Sequence, residues 1–238
     1  QNQPVTLTEL ARELASADVV VIGEFHGHQG AHLLQARLQA ALHQQRPDQV
    51  LVMEAFDMDT QPVIDRYLAG DLGEDELIED ARGWKNHRAS YRPLVEYARR
   101  HELPVRAANA PADLVRCVGQ QGMSFVEDLS PDLRRTLPAQ PFPQVPGYRE
   151  RFFDQLQGRH GAEDSGYSRR LENTYQAQLL RDSTMATTVV NALDGAPQRQ
   201  ALVIVGSFHS DQRQGLVAVL EQLAPELDVR VLTPVMDG

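Results

Sequence analysis

The stretch Val19-Val20-Val21-Ile22-Gly23-Glu24-Phe25-His26 decides how this chain folds. Its first four residues are an unbroken β-branched and aliphatic run, which reads as a buried strand. Downstream, Ala31 to Gln45 carries Leu33, Leu34, Leu38, Ala41 and Leu42 at helical spacing, and Val50 to Met53 is a second apolar run. Strand, helix and strand in that order predict a parallel pair joined by a right-handed crossover. Pro104 to Ala107 and Ala201 to Val205 read as two more buried strands, and Val229 to Leu232 as a fifth, preceded by a helix over Gln212 to Leu223. The fold class is therefore α/β, a mostly parallel sheet flanked by helices, with residues 1–238 forming one domain.

The middle of the chain is of another kind. Pro131, Pro138, Pro141, Pro143 and Pro146 prevent a continuous helix and mark an extended arm. Gly147 to Arg159 is polar and amphipathic, and a glycine-rich break over Gly161 to Gly166 precedes a long helix from about Ser168 to Leu193. Leu171, Tyr175, Leu179, Ala186 and Val190 are the residues that helix is expected to bury. Residues 111–166 read as a helical excursion from the α/β core.

Composition narrows the function. A formal net charge of −10, with no Lys/Arg cluster interleaved with aromatics, excludes a nucleic-acid partner, because phosphate neutralisation needs a basic face. No apolar run approaches the roughly 20 residues of a membrane-spanning helix. The polar start, Gln1 to Thr8, has no signal-like apolar core. Cys117 is the one cysteine, so an intramolecular disulfide and a cysteine-based zinc or iron–sulfur site are both excluded. Within Leu114-Val115-Arg116-Cys117-Val118 it reads as a small buried hydrophobe.

In open parallel sheets, sites form beyond the carboxyl ends of the strands, where loops and helix N-termini converge. Here those ends carry Glu24, His26 and His28, with His32 a turn further on. They also carry Glu54 and Asp57, Asn109, and the run Gly206-Ser207-Phe208-His209-Ser210-Asp211. Glu24, His26, Glu54 and His209 make a mixed carboxylate and imidazole cluster, suited to a divalent metal or to acid–base work. The other reading of those groups is capping of loops and helix ends. His28 and His32, spaced i,i+4, are open between solvent and site. On the long helix, Gln178/Asp182 and Arg181/Met185 are i,i+4 neighbours, and the apolar setting of Arg181 and Asp182 leaves burial near the strand ends open beside a solvated pair.

Taken together, these blocks resemble the ChaN family of haem-binding lipoproteins. The resemblance is carried by Val19 to His26 opening a helix, Met53-Glu54, Gly83-Trp84 followed by Tyr91-Arg92-Pro93, and Ala107-Ala108-Asn109-Ala110-Pro111. Ala177 to Ala186 and the late Gly206-Ser207-Phe208-His209 complete it, in the family's order over about residues 19–215. It implies a fold shared with the Tiki and erythromycin-esterase-like superfamily. It also implies a periplasmic outer-membrane lipoprotein of a haem-uptake pathway, with anchor and signal peptide outside this sequence, and ferric haem held at a homodimer interface. A haem receptor or transporter component is the implied partner.

In that family a tyrosine of one subunit ligates the iron and a histidine of the other supports it. Ferric iron is a hard Lewis acid that favours phenolate oxygen, and an imidazole nearby stabilises a phenolate whose pKa otherwise stays near about 10. Tyr148 and His160, in the excursion, are the first assignment; Tyr167 is second and Tyr91 third, since Tyr91-Arg92-Pro93 reads as packing for Trp84. Asn109, Gln178, Arg181 and Asp182 are the pocket candidates. Phe142, Val145, Phe152, Phe153 and Leu156 offer either a porphyrin face or ordinary packing. The superfamily's hydrolases use the Glu/His cluster that this chain keeps in Glu24, His26, Glu54 and His209. Ser207 and Ser210, however, flank His209 without the Gly-x-Ser-x-Gly elbow that exposes a nucleophile.

Overall fold

Strands that are apolar at every position must be covered on both faces. The computed structural model describes residues 4–139, 142–157 and 165–235, with side chains except at 157 and 165–167. It contains strands β1 (Val19–Glu24), β2 (Gln49–Asp57), β3 (Val105–Asn109), β4 (Gln200–Gly206) and β5 (Val229–Leu232). They pair in the order β3-β2-β4-β1-β5, and every pairing is parallel.

The first half of the chain covers one face of the sheet and the second half the other. Helices α1 (Leu7–Leu14), α2 (Gln29–Gln45), α3 (Gln61–Ala69), α4 (Glu74–Asp80), α5 (His87–Ser90) and α6 (Arg92–Arg100) come before β3. Leu14, Leu38, Leu42, Ile64, Leu77 and Leu94 from that set pack on Val20, Ile22, Leu51, Met53 and Leu202. Helices α7 (Ala112–Gln121), α8 (Ser124–Glu127), α9 (Pro131–Arg135), α10 (Tyr148–Gln157), α11 (Ser165–Leu193) and α12 (Leu216–Leu223) follow it. Their Val118, Phe152, Leu180, Met185, Val189 and Leu220 pack on Val19, Val21, Val52, Val203 and Val205. Each such side chain contributes about 1.5–3 kcal/mol of transfer free energy when fully buried, so two continuous cores account for the architecture.

Several expectations change here. β1 and β2 are not neighbours, because β4, buried at all seven positions, takes the centre between them. Leu33 and Leu34 are 54% and 40% exposed, while the buried face of α2 is Ala31, His32, Gln35, Leu38, Gln39 and Leu42. Within the excursion, Leu114, Val126, Phe142, Tyr148 and Phe152 belong to the same core as the sheet. Of the long helix's expected buried residues, Leu171, Tyr175, Leu179 and Ala186 are buried and Val190 partly so. Cys117 is half-buried rather than buried.

α12 starts later than expected because Gln212, Arg213 and Gly215 all have positive φ, at 58°, 56° and 56°. Gly215 sits at φ 56°, ψ −130°, and a Cβ there would lie 2.7 Å from the carbonyl oxygen of His209 and 3.0 Å from its carbonyl carbon and Cα. The backbone carrying His209 is thus seated against a residue that only glycine satisfies. Gly215→Ala is expected to lower stability by at least about 1–3 kcal/mol, read as a fall in the urea midpoint with unchanged m-value.

Candidate functional site

The topology places the site. β1 sends the chain into α2 on one face, and its neighbour β4 sends it into α12 on the opposite face. Adjacent strands whose connections diverge in this way open a crevice beyond their carboxyl ends. A cavity of about 710 Å³ lies there, lined by Glu24, His26, Glu54, Gln178, Arg181 and His209, with Phe25, Trp84 and Phe208 among the apolar walls.

Strand alternation sends the two glutamates to opposite faces. Glu24 follows Val20 and Ile22 toward α2, and Glu54 follows Val50 and Val52 toward α11. Between them β4 ends in Gly206, whose missing side chain leaves the space in which the two clusters meet. A Cβ at Gly206 would lie 2.9 Å from both Cε1 and Nε2 of His26 and 3.4 Å from Glu54 Oε2.

On the α2 side, Glu24 is 3% exposed and fully partnered. Its Oε1 accepts from His26 Nδ1 at 2.9 Å and from the Tyr91 hydroxyl, and its Oε2 accepts from Gln35 Nε2 at 2.8 Å. His32 is buried with Nδ1 3.3 Å from Glu24 Oε2 and Nε2 3.1 Å from the carbonyl of His26, while His28 caps α2 by accepting from the amide of Ala31. His26 is half-exposed, stands edge-on to Trp84 at 4.7 Å, and has its pKa raised, chiefly by the Glu24 hydrogen bond. Burial and the Glu24 charge hold the Tyr91 phenol protonated.

On the α11 side the charges are deeper. Glu54 accepts from the Gly206 amide at 2.6 Å and from Arg181 Nη2 at 2.5 Å, and lies 3.3 Å from His209 Nε2. Burial opposes its ionisation, but His209, Arg181 and the Gly206 amide together hold its carboxyl well below the usual range. His209 donates from Nδ1 to Asp182 Oδ1 at 2.6 Å. Burial would lower its pKa, yet Glu54 and Asp182 lift it to about 9. The other oxygen of Asp182 accepts from the Tyr148 hydroxyl at 2.7 Å, and Gln178 Nε2 donates to that hydroxyl at 3.0 Å. Arg181 Nε donates to Asn109 Oδ1 at 3.0 Å, and Asn109 donates in turn to Asp57.

The sequence-predicted residues Glu24, His26, Glu54, Asn109, Gln178, Arg181, Asp182 and His209 are therefore brought together. Asp182 is wholly buried, which settles the choice between a solvated pair and burial. Tyr148 is wholly buried too, one layer behind the cavity wall, with Phe208 packed on its ring at 5.3 Å and Arg151 donating to the Phe208 carbonyl. Tyr91 packs against Trp84 at 5.5 Å as expected, and its hydroxyl also anchors Glu24. His160 and the side chain of Tyr167 lie outside the described residues. Among the described residues no group of three or more His, Cys, Asp or Glu side chains is placed to hold a metal ion. Gln35 and Asn86 were missed; a glutamine a turn after His32, on the helix face that also carries Leu38 and Leu42, was the available signal for the first.

The ionic cluster ties stability to pH. His209, raised above its unfolded value of 6.5, contributes stability that is present below that value and lost as pH rises through about 9. Glu54, depressed below 4.5, contributes stability present above that value and lost as pH falls through its folded pKa. Asp182→Asn removes one of the two carboxylates that keep His209 charged. Its alkaline loss of stability is expected to begin at lower pH than in the parent, as urea midpoints across a pH series and the NMR titration of His209 would report.

Residues 10–220 match the family described as haem-binding uptake, Tiki superfamily, ChaN. Among solved structures, ChaN of Campylobacter jejuni, described as binding haem cofacially, superposes with a TM-score of 0.72 at 15% identity, over 99% of this chain and 88% of that one. A mutant of the erythromycin esterase EreC in its open conformation gives 0.57 at 14% identity, over 98% and 74%. RRSP, a toxin effector domain from Vibrio vulnificus, gives 0.53 at 19% identity, over 98% of this chain and 36% of that one. No curated protein sequence matches significantly.

Proposed function

This chain belongs to the ChaN-type haem-binding uptake family of the Tiki superfamily, and from that premise we propose that it carries ferric haem, held by a tyrosine oxygen where two copies of the chain meet. The cavity supports the reading: at about 710 Å³ it has the size of a ligand site, with Phe25, Trp84 and Phe208 as flat apolar walls among polar and charged lining residues. The C. jejuni neighbour is described as binding haem cofacially, and a cofacial arrangement of porphyrins is what a paired chain would hold.

The observation that carries the proposal is the Tyr148–Asp182 hydrogen bond of 2.7 Å. Burial and the Asp182 charge push the phenol's pKa far up, so the free protein keeps it protonated. Only a strong Lewis acid displaces that proton, and Asp182 stands ready to accept it. Tyr148 is wholly buried behind a wall that includes Gln178, Phe208 and His209, so ligation requires a rearrangement that brings its hydroxyl to the cavity. His160 of the second copy supplies the supporting imidazole in this reading. The proposal extends to export as an outer-membrane lipoprotein that passes haem to a receptor or transporter, which cell fractionation and pull-down under iron limitation test.

Hemin added to the purified protein is expected to give a saturable phenolate-to-iron charge-transfer band and to shift the chain from single to paired mass by sedimentation. Tyr148→Phe abolishes the band. A band retained in that variant transfers ligation to Tyr167 or Tyr91, whereas no saturable optical change in the parent protein ends the proposal.

A second reading, hydrolysis in the same cavity, is favoured by one pair. His26 is half-exposed with its Nδ1 fixed on buried Glu24, the geometry of an oriented general base. Among the lining residues Ser207 is the hydroxyl on hand, without a base shown bonded to it. On this reading an esterase and peptidase screen finds turnover that Glu24→Gln removes; a parent protein inactive across the screen eliminates it.

A further inference from the structure

The charged side chains that line the cavity are sorted by depth. Glu24, Glu54 and His209 have side-chain exposures of 1%, 3% and 4%, whereas His26 and Arg181 have 49% and 24%. A ligand entering the cavity therefore meets a guanidinium and an imidazole and no exposed carboxylate, in a chain whose formal net charge is −10. That is the reverse of the surface at large.

The two donors flank one point. Arg181 Nη2 holds Glu54 Oε1, and the ring of His26 lies over Gly206, whose amide holds Glu54 Oε2. Neither donor is used up by these bonds. Arg181 commits Nε to Asn109 and Nη2 to Glu54, and Nη1 takes part in neither bond. His26 commits Nδ1 to Glu24, which leaves Nε2 at the Gly206 end of the cavity. A guanidinium edge beside an imidazole suits a carboxylate, which accepts two donors at once. Asn86, Gln155 and Ser207 supply neutral polar groups around it, and the aromatic walls suit a flat apolar body.

We propose that Arg181 and His26 together bind a carboxylate of the cargo, a propionate of the porphyrin. The inference rests on the haem-carrier reading above and adds to it the part of the ligand that the strand-end cavity recognises. It also gives the buried glutamates a role: they fix the two donors in place from beneath and are themselves shielded from the ligand.

The test compares hemin, hemin dimethyl ester and metal-free protoporphyrin IX in one buffer, by absorption or fluorescence titration. The ester is expected to bind the parent protein at least tenfold more weakly than hemin, about 1.4 kcal/mol. Protoporphyrin IX, which keeps the carboxylates and lacks iron, is expected to bind and to weaken at least tenfold in His26→Gln. Arg181→Lys, which keeps a charge for Glu54 but loses the guanidinium edge, is expected to narrow the gap between hemin and ester. Equal affinity of hemin and ester overturns the inference while a phenolate band in the same titration leaves the haem reading standing. Carboxylate-dependent binding of protoporphyrin IX with no iron-dependent spectrum does the opposite.

Discussion

A carboxylate buried at the end of a central strand cannot stand alone. Glu54 is fixed by the Gly206 amide on the neighbouring strand, by Arg181 from α11 and by His209 from the loop after β4. Each partner comes from a different segment, so one side chain's need for donors ties together β2, β4, the loop that follows β4, and the long helix. An uncompensated buried charge costs several kcal/mol, and this requirement orients Arg181 toward Asn109 and His209 toward Asp182. The rest of the site follows from satisfying that single group.

Buried ion clusters are poor devices for stability alone, because apolar residues of similar volume often do as well or better. This one includes Glu54, Asp182 and His209, each almost wholly removed from solvent, beneath a cavity. Glu24 with Gln35, His32 and Tyr91 repeats the pattern on the other face. Two such clusters facing each other across a glycine, at the place where strand connections diverge, mark a site maintained for what it binds or transforms rather than for the fold.

Much of this was legible in the sequence. Strands whose apolar runs are continuous, such as Val19 to Ile22 and Ala201 to Val205, identify themselves, and the rule that sites lie beyond the carboxyl ends of strands gathered Glu24, His26, Glu54 and His209, which line one cavity. Strand order was not legible, because the burial of β4 between β1 and β2 depends on contacts between residues nearly two hundred positions apart in sequence, as in Val19 pairing with Ala201. The buried face of α2 was misdirected by Leu33 and Leu34, since the sheet end demanded polar partners: Gln35 serves Glu24, and Gln39 donates to the carbonyl of Leu94. Tyr148 read as a residue of an amphipathic helix. Its burial follows from Asp182 and Gln178, whose distance along the chain hides the pairing.

The aromatic region and the strand-end cluster were separate proposals at the level of sequence, and the structure makes them one. From Tyr148 the hydrogen bonds pass to Asp182, from Asp182 to His209, and His209 lies against Glu54, which Arg181 holds from the cavity side. A proton leaving Tyr148 for Asp182 would neutralise one of the two carboxylates that keep His209 charged, and so weaken the grip on that imidazole. On the proposed reading, iron capture at the phenol would be coupled through two side chains to the charge state of the cavity floor. A ligand with a metal at its centre and carboxylates along one edge would engage both ends of that chain, which a purely apolar pocket of the same size would not do.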